Sequence, residues 1–160
     1  MRHGSLFTGI GGFDLAAEKV GWENVFAVEI DPFCRDIYTK RFKGTKLYDD
    51  IRNFDGSQYR GSIDIISGGF PCQPFSYAGE QKGSADDRAL WTEMFRVIRE
   101  IHPKFIVGEN VAGIIDMELD NVLTDLESID YSCQTFNIPA CSVGAIHQRE
   151  RIWIIAQREV

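Results

Sequence analysis

The chain has 160 residues, 44% of them hydrophobic and 26% charged, the balance of one soluble globular domain able to bury a fair core. Four cysteines (Cys34, Cys72, Cys133, Cys141) without a C-x-x-C pair, and three scattered histidines, argue against a disulfide framework or a metal site and predict reduced thiols in a cytoplasmic setting. A net charge of −7 runs against unaided grip on a nucleic-acid backbone, which needs a basic patch.

The amino terminus, Met1-Arg2-His3-Gly4, has no apolar signal segment, and no run reaches membrane-spanning length. Ser5-Leu6-Phe7 reads as a short strand entering the loop Gly9-Ile10-Gly11-Gly12. A helix is expected over Phe13 to Val20, closed by Gly21. Phe26 to Ile30 is the second strand. Asp31-Pro32 opens a helix as a cap residue followed by proline in the first turn, and that helix runs to about Arg41. Lys46-Leu47-Tyr48 is a weak third strand and Ile63 to Ser67 a fourth. Phe75 to Asp87 is polar and glycine-rich and reads as a mobile loop. Helical spacing over Asp87 to Ile101 stops before His102-Pro103. Phe105 to Glu109 is the fifth strand. A helix near Leu119 to Ile129 precedes a hairpin of Tyr131 to Pro139 with Arg151 to Ala156. Residues 109–130 carry seven acids (Glu109, Asp116, Glu118, Asp120, Asp125, Glu127, Asp130) and no Lys or Arg; they read as a solvated helix face that a polyanion would avoid. The alternation predicts an α/β, doubly wound, mostly parallel sheet ending in an antiparallel hairpin.

Ligands of such sheets sit beyond the carboxyl ends of the strands. Gly9-x-Gly11-Gly12 ends strand one but lacks the third glycine of G-x-G-x-x-G, because Asp14 stands there; a plain tight turn explains it as well as a nucleotide site does. Glu29, 20 residues beyond Gly9 at the end of the second strand, can accept both hydroxyl protons of a ribose, or can be a cap or surface acid. Gly69-Phe70-Pro71-Cys72-Gln73-Pro74 ends strand four. Glycines there permit a sharp turn and prolines stiffen it, a frame suited to a nucleophilic thiol, although a free cysteine is also a common core filler. Glu109 closes an apolar strand, so its carboxyl must be neutral or paired with a nearby arginine. Alternation places Arg149 and Arg151 on one strand face, around an anion or carboxylate, or as an exposed basic face.

Phe7-x-Gly9-x-Gly11-Gly12, Pro71-Cys72-Gln73, Glu109-Asn110-Val111 and Arg149-x-Arg151 together resemble the cytosine-C5 DNA methyltransferases of bacterial or phage restriction type, over about residues 5–156. The resemblance implies a Rossmann-like methyltransferase domain over residues 1–160 that binds S-adenosylmethionine and yields S-adenosylhomocysteine. Phe7, Gly9, Ile10, Gly11, Gly12, Glu29, Ile30, Asp50, Ile51, Gly69, Pro71 and Leu90 would hold the cofactor, with Glu29 on the ribose, Ile30 beside the adenine, and Asp50 and Ile51 at its edge. Cys72 would be the nucleophile, Glu109 the acid and Arg151 a partner of a flipped cytosine, with Arg149 beside it. Asn110 would brace the Pro71-Cys72 turn, and the Phe75 to Asp87 loop would form a lid. The partner would be double-stranded DNA. The family pattern continues with a target-recognition region and a closing helix beyond Val160, and has glutamine where His147 stands. The expectation is therefore a fragment, or one subunit of a split enzyme. A non-catalytic cofactor-binding module, a tRNA cytosine-C5 methyltransferase relative and a nicotinamide dehydrogenase are the alternatives. The last leaves Cys72, Glu109 and Arg151 unexplained.

Overall fold

The computed structural model describes residues 1–71 and 84–159, without the side chains of residues 84–89. Cys72, Gln73, Pro74 and the Phe75 loop up to residue 83 lie outside the described residues. Seven strands form one sheet: β1 Arg2–Leu6, β2 Glu23–Val28, β3 Lys46–Tyr48, β4 Ile65–Gly68, β5 Phe105–Val111, β6 Tyr131–Pro139 and β7 Glu150–Arg158. The helices are α1 Gly12–Lys19, α2 Pro32–Arg41, α3 Ser84–Ile101, α4 Ile114–Met117 and α5 Leu119–Glu127. The order across the sheet is β3-β2-β1-β4-β5-β7-β6. Strands β1 to β5 are parallel, and β7 pairs antiparallel with both β5 and β6. The order reverses between β1 and β4, which opens a crevice at their carboxyl ends.

Most elements form where the chain pattern predicts. Strand β1 starts at Arg2, because it pairs with β2 on one side and β4 on the other from its first residues. Strand β2 ends at Val28, one residue before Glu29. Helix α3 starts at Ser84, three residues inside the expected loop. Asp31 caps α2 as its sequence suggests, its Oδ1 accepting the Phe33 N–H at 2.8 Å. The acidic run is not one solvated face. Glu109 lies in the sheet, Asp125 Oδ2 accepts the Trp91 indole N–H at 2.8 Å, and α4 was not anticipated.

The main core lies between one sheet face and α3 with α5. Met94, Val97, Ile98 and Ile101 follow helical spacing and are fully buried. They meet Leu6, Phe26, Ile66, Ile106 and Ile154. On strands β5 and β7 burial alternates, so Ile106, Gly108, Asn110, Ile152, Ile154 and Ala156 face this core. The alternate residues Val107, Glu109, Arg151 and Trp153 therefore face the other side, where α1 and α2 pack. Among the described residues, no helix is long and apolar enough to cross a membrane.

Candidate active site

Two clefts open at the carboxyl ends of the strands. The first, of about 260 Å³, is lined by Phe7, Val28, Glu29, Ile30, Asp50, Ile51, Arg52, Gly69, Pro71 and Leu90. Phe7 follows β1 in the left-handed region (φ 52), as does Gly9 (φ 56), and this reverses the chain beneath the cleft. The Glu29 carboxylate joins the two sides of the loop. Its Oε2 accepts the Gly9 N–H at 2.7 Å and its Oε1 accepts the Asp31 N–H at 2.8 Å. Each oxygen keeps a lone pair for a further donor. Asp50 caps the short 3-10 turn Ile51–Asn53, with Oδ1 accepting the Arg52 N–H at 2.9 Å. Ile30 is 60% exposed, an apolar wall left open beside the carboxylate.

The second cleft, of about 580 Å³, is lined by Gly69, Phe70, Pro71, Glu109, Asn110, Val111, Arg149 and Arg151. It shares Gly69 and Pro71 with the first, so one turn forms a wall of both. Asn110 is buried at the end of β5. Its Nδ2 donates to the Phe70 carbonyl at 2.9 Å and its Oδ1 accepts the Val111 N–H at 2.8 Å. This ties β5 to the peptide just before Pro71. Glu109 sits opposite Trp153, and Arg151 opposite Val111, so the two charged side chains are diagonal neighbours on one face. Arg151 Nε lies 2.7 Å from Glu109 Oε1. Of the two alternatives for Glu109, neutral or paired with an arginine, the pairing is the one its side chain adopts. Gly69 leaves room beside this pair: a Cβ there would stand 3.1 Å from Glu109 Oε2 and press on the carboxylate.

Several expected site residues are placed differently. Gly9 joins the cleft through Glu29, and Ile10 is exposed at the loop tip. Gly12 opens α1 and lines a separate groove beneath that helix. Arg149 precedes β7 with φ 38. Strand alternation therefore does not relate it to Arg151, yet both line the second cleft. Sequence reasoning missed Val28 and Arg52, which carry no motif and enter the first cleft only through their positions in the fold.

The cleft chemistry matches an adenosine-type ligand: apolar walls at Phe7, Ile30, Ile51 and Leu90, with carboxylates at Glu29 and Asp50 for hydroxyl and amino donors. Together with the sheet order and the terminal antiparallel β5-β7-β6 unit, it defines the class as a Rossmann-like, S-adenosylmethionine-dependent methyltransferase fold. The chain belongs to the C-5 cytosine-specific DNA methylase family, whose model matches residues 1–160. It is 38% identical over 160 residues to the type II methyltransferase M.PspPI of Psychrobacter, covering 96% of this chain and 38% of that protein. It is 36% identical over 163 residues to the type II methyltransferase M.HhaI of Haemophilus parahaemolyticus, covering 99% of this chain and 49% of that protein. A solved structure of DNMT2 from Spodoptera frugiperda superposes with a TM-score of 0.81 at 26% identity, over 98% of this chain and 50% of that one. The chain thus spans about half, or less, of the length of these relatives.

Proposed function

We propose that the chain is the cofactor-binding and catalytic part of a DNA (cytosine-5)-methyltransferase, acting on double-stranded DNA in the cytoplasm. The observation that carries this reading is the shared Gly69-Pro71 wall, which sets a largely apolar cleft holding Glu29 and Asp50 against a polar cleft holding Glu109 and Arg151. Reading of the target sequence is assigned to a further segment or a second subunit, in keeping with the relatives' greater length.

When bound, S-adenosylmethionine supplies an electrophilic sulfonium methyl and leaves as S-adenosylhomocysteine. Phe7, Glu29, Ile30, Asp50, Ile51 and Leu90 orient it, with Glu29 accepting from the ribose hydroxyls. Cytosine C5 is a weak nucleophile and lies inside the duplex stack, so the base must be flipped into the second cleft. Cys72, bonded to Pro71 in the chain, adds as thiolate to C6. The electron pair displaced from the C5–C6 bond makes C5 nucleophilic and loads charge onto N3. Glu109 in its carboxylic acid form donates its proton to N3, which neutralises the ring as the thiolate adds, and Arg151 beside it stabilises the carboxylate left behind. Once C5 carries the methyl group, water takes the C5 proton, the electron pair expels the thiolate from C6, and N3 returns its proton to Glu109, which restores the ring.

The test is adduct formation with duplex DNA containing 5-fluorocytosine, with the recognition segment supplied, and with tRNA as competitor. A denaturation-resistant adduct at Cys72 is expected, and Cys72→Ser should abolish methyl transfer while leaving cofactor affinity unchanged. An adduct on another residue, or full activity of the variant, overturns the reading.

A further inference from the structure

Asp14 stands where a G-x-G-x-x-G loop would have its third glycine, and the mechanism above does not use it. Its side chain is fully buried in the first turn of α1. A buried carboxyl needs donors, and it has two hydroxyls. The Thr8 O–H donates to Oδ2 at 2.5 Å, and the Tyr38 O–H from α2 donates to Oδ1 at 2.7 Å. The Ser5 O–H in turn donates to Thr8 Oγ1 at 2.9 Å, so the Thr8 hydroxyl both gives and accepts. Asn24 Nδ2 donates to the Asp14 main-chain carbonyl at 2.9 Å, which fixes the start of the helix.

The loop that meets this cluster is held in unfavourable backbone. Phe7 is a bulky residue with φ 52, followed by Gly9 at φ 56 and Gly11 at φ 93. Such a conformation persists only where its surroundings over-determine it. Thr8, next to Phe7, is the anchor. Its N–H donates to the Val28 carbonyl at 3.1 Å and its carbonyl accepts the Gly11 N–H at 2.9 Å. Its hydroxyl makes the third tie, to Asp14. The Gly11 backbone also packs closely: a Cβ there would stand 2.2 Å from the Phe42 ring, so the loop has one seat against α2 and its following turn.

We propose that Asp14 is a positioning residue for cofactor binding: through Thr8 it locks Phe7 and the Gly9-Gly11 loop in shape, and through Tyr38 it fastens that loop to α2. The carboxyl takes the place of the close helix–strand packing that a third glycine permits. The inference rests on the cofactor reading above for what the loop receives, whereas the clamp belongs to the free chain.

The test compares Thr8→Val, Asp14→Ala, the double variant and Asp14→Asn in the 160-residue chain. Amide exchange at Gly9 and Gly11 is followed without ligand, and S-adenosylhomocysteine binding by calorimetry. Thr8→Val and Asp14→Ala should each speed Gly11 exchange and weaken binding by about tenfold or more, with the double variant no worse than Asp14→Ala alone, as coupled partners behave. Asp14→Asn should recover most of both, because its oxygen still accepts from Tyr38 and its amide donates to Thr8. Wild-type exchange and affinity in Thr8→Val, with only lowered thermal stability in Asp14→Ala, would reduce Asp14 to a core polar group and overturn the proposal. Faster exchange in the variants alongside a wild-type chain that binds no S-adenosylhomocysteine would sustain the clamp and sink the cofactor reading instead.

Discussion

At Glu29 a single side chain both braces the backbone and lines the first cleft. It joins Gly9 to Asp31 through two main-chain donors, and in the proposed function its remaining lone pairs accept from the ribose. Glu29→Ala should therefore weaken cofactor binding by roughly 1.5–3 kcal/mol, the cost of losing hydrogen bonds to a charged group. Calorimetric titration measures this, and an unchanged dissociation constant would place the ribose elsewhere. His3 shows the opposite economy, a polar ring spent wholly on the interior. It is buried, with Nδ1 2.8 Å from Asn24 Oδ1 and Nε2 2.7 Å from Ser67 Oγ. Since Asn24 Nδ2 is committed to Asp14, its oxygen must accept, so Nδ1 carries the hydrogen and Nε2 accepts from Ser67. Burial lowers the pKa of His3, against smaller upward pulls from Asn24 and Asp14. The unfolded chain thus binds this proton more readily than the folded one. The His3 contribution to stability is complete above the ordinary value of 6.5 and is lost as pH falls from there through the lowered folded pKa. Thermal midpoints between pH 7.5 and 5 should fall, and His3→Gln should flatten that slope; an equal slope in the variant would rule His3 out as its source. Glu29 was legible in the chain because its motif is local. The partners of Asp14 and His3 were not, since a buried polar pair leaves no periodic mark when its members are far apart in sequence.

Elements brought near the clefts by pairing are set by neighbours that no window of sequence contains. Strand β5 continues past Glu109 to Val111 because β7 supplies Arg151 and Ile152 opposite it. The turn carrying Asp50 and Ile51 is pinned in a similar way by α3. Arg96 donates to the Ile51 carbonyl at 2.7 Å and the Phe54 carbonyl at 3.0 Å, while Glu93 and Glu100 hold its guanidinium. Arg96→Met should lower unfolding free energy by about 1–2 kcal/mol, a charged-bond loss discounted for partial solvent screening. Because the turn edges the first cleft, the same variant should weaken S-adenosylhomocysteine binding. Urea titration and calorimetry together check this, and unaltered affinity in a destabilised variant would show that the turn holds its place without α3. Helix periods and the Asp31-Pro32 cap were readable beforehand, since each depends on residues within one or two turns. Helix α4 was not, being too short to show a period.

Over the whole molecule, charge and coverage are uneven. Among the described residues, a groove of about 500 Å³ runs between α1 and the sheet, lined by Phe13, Ala16, Val20, Ile65, Val107 and Trp153. Phe136, opposite Trp153, continues this face at 41% exposure. Among the described residues, the positive charge lining the second cleft comes from Arg149 and Arg151, within a chain of net charge −7. Duplex binding by this chain should thus be weak, with log K falling against log salt at a slope of about −2 or shallower, as for two neutralised phosphates. Fluorescence anisotropy across a salt series measures that slope, and a value near −6 would reveal a basic surface that the chain's composition does not suggest.

The amino-acid order alone determined the alternation of strands and helices, the caps, and the glycine, proline-cysteine and Glu109-Asn110-Val111 motifs, because each is written in neighbouring residues. Tertiary structure decided the strand order, the placement of Gly69 and Pro71 between two clefts, the Glu109–Arg151 pair and the Asp14 clamp. These depend on contacts between segments tens of residues apart, whose meeting follows from sheet register and burial and from no local preference.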